Sequence, residues 1–123
     1  MNTKFLVNVR AYNTSNEAET LGAVLDTPEA VANAAAVLAL FGLQKSVTEV
    51  KVGDRLYDIQ LNNQEVNLSF NLQTEAEARS FLAKEFDTSE HWEAVEAVLE
   101  GRSDSYEFNE TAYDFTLTAH VVA

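Results

Sequence analysis

The chain has no cysteine, one proline, four glycines and two histidines in 123 residues. Without cysteine there is no disulfide scaffold, and nothing in the composition requires an oxidising compartment. So little proline and glycine excludes collagen and low-complexity linker. Bases are scarce as well: eight Lys and Arg stand against twenty Asp and Glu, a formal charge of −12. That balance repels phosphate backbones and anionic lipid surfaces, so neither nucleic acid nor membrane is expected as a direct ligand. Long apolar runs are missing too. The longest, Ala34 to Leu43, is about half of what a bilayer-spanning helix needs. Asn8 and Arg10 break the N-terminal apolar stretch before it could serve as a signal-peptide core. A soluble cytoplasmic protein is expected, acting in the host cytoplasm if a phage encodes it.

Motifs for chemistry are equally sparse. There is no Gly-rich phosphate loop, no G-x-S-x-G, no H-E-x-x-H and no EF-hand run. His91 and His120 have no sequence pattern that pairs them with a nucleophile or a second ligand. No catalytic residue, metal or cofactor is therefore expected.

What is present is 46% hydrophobic residues, enough for one core in a single domain over residues 1–123. Phe5, Val7, Val9 and Ala11 alternate with Leu6, Asn8, Arg10 and Tyr12, the period of a strand with one buried face. Asn13 to Thr20 reads as a loop and Leu21 to Leu25 as a short second strand. Thr27-Pro28-Glu29 opens a helix that runs to about Phe41, with Gly42 as its left-handed cap. Its face of Val31, Ala34, Ala35, Leu38 and Phe41, among many alanines, marks it as the central buried helix.

Residues 47–52, 55–61 and 65–72 read as an antiparallel meander turned at Gly53-Asp54 and Asn62-Asn63. In the last of these, Val66, Leu68, Phe70 and Leu72 share one face. Thr74 and Glu77 form a capping box for a second helix ending near Phe86. A third helix starts after Asp87-Thr88-Ser89 and stops at Gly101, its stripe being Trp92, Val95, Val98 and Leu99. The tail returns to strand, with a turn or bulge between Asn109 and Ala112. The expected fold is α+β: an antiparallel sheet of about five or six strands with three helices on one face.

Trp92, Phe81, Phe86, Tyr113 and Phe115 lie at core spacing, whereas Tyr12, Tyr57 and Tyr106 are expected on the open face. Leu6, Tyr12 and Val122 together on that face would form a dimer or partner surface.

The distribution of charge is the unusual feature. Residues 1–72 hold eight acids and five bases, whereas 73–123 hold twelve acids and three bases. From Glu85 the acids fall at Asp87, Glu90, Glu93, Glu96, Glu100, Asp104, Glu107, Glu110 and Asp114, interrupted by one base, Arg102. A charge run is usually a solvated face. Here, however, Glu96 and Glu100 repel at i,i+4, and Glu100 sits at the negative end of the helix dipole, together giving up about 1.5 kcal/mol at most. A helical acid every three or four residues advances about 5 Å per charge, against about 3.4 Å per phosphate on one DNA strand. By analogy of charge spacing, not of sequence, this resembles the nucleic-acid mimics that phages and mobile elements use against restriction or CRISPR systems. The row Glu85 to Asp114 is thus expected to bind a basic nucleic-acid-binding protein, a nuclease or effector complex. The alternative expectation is a self-associating assembly module, a homodimer for example, whose acids serve solubility.

Overall fold

The computed structural model describes residues 3–13, 17–110 and 113–123, with side chains omitted for 11–13. Its element order is β1 (Thr3–Asn13), β2 (Glu17–Leu25), α1 (Pro28–Leu40), β3 (Lys45–Lys51), β4 (Arg55–Asn63) and β5 (Asn67–Gln73), followed by α2 (Glu75–Phe86), α3 (Trp92–Leu99), β6 (Ser105–Glu110) and β7 (Tyr113–Val121). The class is α+β, as expected. The sheet has seven strands in the order β3-β1-β2-β5-β4-β7-β6 and is mixed, because β2 and β5 run parallel. That pair is a seam between two contiguous stretches of chain, β1 to β3 and β4 to β7.

Local signals set the helices. The Thr27 hydroxyl accepts from the Ala30 N–H at 3.1 Å, and Thr74 and Glu77 complete the reciprocal box. Gly42 and Gly101 take positive φ (67° and 82°) just past α1 and α3, where L side chains are strained.

Packing divides the molecule. α2 and α3 cover β4, β5, β6 and β7, burying Tyr57, Ile59, Leu61, Leu82, Phe86, Val95, Val98, Leu99, Phe115 and Leu117, with Phe81, Trp92, Tyr106 and Tyr113 against them. Neither Tyr106, packed against this core, nor Tyr57 therefore lies on an open face, and Tyr57 belongs to the core itself. Its hydroxyl can be buried because it donates to the Leu99 carbonyl at 3.1 Å. Leu6 and Val122 are likewise core: with Val50 and Leu56 they form a second, smaller cluster, so no exposed patch of Leu6 and Val122 exists. The Tyr12 side chain lies outside the described residues.

α1 stands apart. It packs on β1, makes no extensive contact with α2 or α3, and buries no residue, so it is not the central buried helix. Its apolar pattern is satisfied only in part: Val37, Leu40 and Phe41 are 54, 83 and 72% exposed.

The expected meander is also reorganised. β4 and β5 form a hairpin, but β3 pairs with β1, and β2 extends through Glu17–Thr20 to pair with β5. Three strands separate β3 from β4, about 19 Å in a flat sheet. Yet the Lys51–Asp54 turn, closed by the Asp54 N–H to the Lys51 carbonyl at 2.9 Å, joins them directly. The sheet must therefore coil strongly at this end, which is how Val50 and Leu56 reach one cluster. In β5 an extra residue falls between the partners of Ile59 and Tyr57, with Leu72 at φ 51°. Leu68 and Phe70 then pack with the helices while Leu72 joins the smaller cluster, which ends the simple alternation expected there. The turn or bulge expected between Asn109 and Ala112 reaches residues 111–112, which lie outside the described residues.

Candidate functional site

The acids sort by element. Glu85 closes α2, and Asp87 and Glu90 occupy the connection to α3; Glu93 and Glu96 ride on α3 and Glu100 caps it. Asp104 precedes β6, Glu107 and Glu110 belong to β6, and Asp114 to β7. Glu96 is half-buried and the other nine are exposed. The acids do not form a single file, because α3 is only eight residues long. Strand alternation sends Glu110 to the side of Tyr106 and Phe108, and Glu107 to the opposite side. What the fold does instead is bring the span from residue 85 to 114, with ten acids and one base, together at the β6 edge of the sheet. The base, Arg102, is itself paired with Glu100 at 2.9 Å.

The unfavourable end of α3 has an unexpected remedy. Arg55, from β4, points its guanidinium at that end and donates to the Ser103 carbonyl at 3.0 Å and, more weakly, to Val98 at 3.4 Å. A base missing from the helix itself is thus supplied across space, where the dipole favours it. Arg55 also lines a cavity of about 540 Å³ between the β3–β4 turn and the ends of α2 and α3.

His91 is the residue that sequence spacing missed. Its ring stacks on Phe108 at 3.8 Å and 5°, and Phe86 meets its edge. Nδ1 lies 2.7 Å from the Tyr106 hydroxyl, and Nε2 lies 3.1 Å from Glu110 and 3.8 Å from Glu90. Burial first, then the charges of Glu110 and Glu90, pushes the Tyr106 hydroxyl above the usual phenol range. Tyr113 is raised likewise by burial, then by Glu85 and Glu110. Carboxylate, imidazole and hydroxyl are in line, but a hydroxyl held protonated is the opposite of an activated nucleophile. Tyr106 and Glu110 lie 15 and 19 residues from His91, so only the β6 placement, not any local pattern, could reveal them.

The second histidine has a partner too. His120 lies 2.7 Å from Asp58 on the sheet face away from α2 and α3. The other Asp58 oxygen accepts from the Leu72 N–H and the Asn71 amide at 2.8 and 2.9 Å, pinning the β5 irregularity. A polar groove of about 230 Å³, lined by Asp58, Gln60, Ser69, Asn71, Thr116 and Thr118, runs beside it.

At the other edge the sign reverses. β1 and β3 carry Lys4, Arg10, Lys45 and Lys51 against Glu49. Among the described residues only Lys4 of these bases is ion-paired, to Asp26 at 2.8 Å. No helix of the described residues is long and apolar enough to cross a membrane. No protein-family model, curated protein or solved structure matches this chain.

Proposed function

We propose that the protein is a stoichiometric inhibitor that presents its acidic end to a basic nucleic-acid-binding protein, a nuclease or effector complex of host defence, in the manner of a DNA mimic. One observation supports this reading above others: the span from residue 85 to 114 gathers ten acids on the end of α2, on α3, β6 and β7 and on their connections, and its one base, Arg102, is already paired with Glu100. Such a surface steers a basic groove toward it and releases the groove's counterions as DNA would. It needs no cofactor and no turnover. The test compares wild type with the triple variant Glu93→Gln, Glu96→Gln, Glu100→Gln as bait in nuclease-treated host lysate, at low and high salt. Retention of a basic nucleic-acid-binding protein by wild type, lost in the variant and in salt, is expected; the same partners with both baits would defeat the reading.

A second reading rests on a different observation, the opposite edge. There the unpaired bases of β3 sit on a free strand edge, in a part of the fold where α1 leaves Leu40 and Phe41 exposed. The occupant this arrangement fits is a second copy of the chain, whose acidic β6 edge complements the basic β3 edge. Sedimentation would then show mass rising with concentration and falling with salt, and a strict monomer would exclude it.

A further inference from the structure

Glu90, His91 and Glu110 bring two carboxylates and one imidazole nitrogen to a common point, with all ligand atoms within 4.8 Å of one another. We infer that this cluster is a divalent-metal site of the zinc class, with water completing the coordination. Ligands held at 2.0–2.2 Å by a tetrahedral ion stand about 3.3 Å apart. The present separations from Nε2, 3.1 Å to Glu110 and 3.8 Å to Glu90, bracket that value. The two carboxylates are on exposed side chains that adjust freely, whereas the imidazole is 15% exposed and held between aromatic rings.

The second shell fits the same chemistry. When Nδ1–H donates to the Tyr106 oxygen, Nε2 turns its lone pair toward both carboxylates, the arrangement that orients a metal-ligating histidine. One nitrogen and two oxygens suit zinc better than magnesium or calcium, which favour all-oxygen shells. The ligands come from two elements, the connection before α3 and the end of β6, so an ion would clip them together. It would also place two positive charges within the acidic end. The inference is independent of any protein partner.

The experiment is calorimetric titration and equilibrium dialysis of the full chain with zinc chloride near neutral pH, with no partner present. One ion per chain is expected, not displaced by excess magnesium, and a thermal midpoint that rises with zinc. Glu110→Gln and His91→Phe, the latter keeping an aromatic ring on Phe108, should each weaken binding at least tenfold and abolish the thermal shift. Glu93→Gln and Asp104→Asn should bind as wild type does. Circular dichroism of each variant confirms its fold, and Glu110, being exposed, provides a variant that does not touch the core. Absence of saturable zinc binding, or binding undiminished in both ligand variants, overturns the proposal.

Discussion

The two sides of the parallel seam are built differently. From β4 to β7 the chain closes an aromatic core beneath α2 and α3, in which Phe86 meets Phe108 and Phe115 edge-on. Among the described residues from β1 to β3 there is no comparable cluster: Leu6 and Val50, with Val24 beside them, are buried against Leu56, Leu72 and Val122 from the other side, and no residue of α1 is fully buried. The C-terminal side is therefore a self-sufficient core with an acidic rim, and the N-terminal side is a platform that borrows its order. An apolar helix need not mark the centre of a fold; α1 is as apolar as a core helix and lies on the outside.

The largest effect that would break this contrast comes from truncating each side. Phe86→Ala should lose about 3–5 kcal/mol in urea unfolding. Leu40→Ala on α1 should stay within about 0.5 kcal/mol. Comparable losses at the two sites would show that α1 is core after all. Next is Tyr57→Phe, which leaves the buried Leu99 carbonyl without its donor and should cost about 1–2 kcal/mol.

Smaller is the triple Gln variant of Glu93, Glu96 and Glu100. Its unfolding free energy should rise by up to about 1 kcal/mol, less than repulsion alone suggests because Glu100 loses its pairing with Arg102. A loss of more than that would mean these acids hold the fold together. The least is alkaline. Tyr106 and Tyr113 have raised pKa values in the folded state, so their contribution is complete below the unfolded value of 10.0 and fades as pH climbs through the folded values above it. In phenolate absorbance Tyr106→Phe and Tyr113→Phe should each remove a late-ionising component, and the stability these two tyrosines contribute should fade only as pH rises past 10.

What could be read from residues alone was what is decided locally. The Thr27 cap, the Thr74–Glu77 box, the glycine stops and the α3 stripe each involve groups within one turn or one helix, and each is where the spacing put it. Pairing across the sheet is a different matter. Nothing in Glu17–Thr20 announces that this polar stretch runs beside β5, and a turn as short as Lys51–Asp54 argues for a hairpin that sheet coiling does not produce. The acid row was visible as composition, but its division between two faces follows from β6 alternation and from the shortness of α3. His91 and His120 found their carboxylates through strand placement, which spacing does not encode.

The seam also bears on how the chain is made. β2 pairs with β5 in the register Glu17 to Asn67, so the outer edge of β2 has no native neighbour until a stretch some fifty residues later has left the ribosome. At ~5–20 residues per second that is roughly 3–10 s of synthesis. Late in that interval the nascent chain holds β1, β2, the apolar α1 and β3, still without the strand that covers the outer edge of β2. A chaperone or a neighbouring nascent copy would meet that species, and it would vanish once β5 docks and the two sides become one sheet.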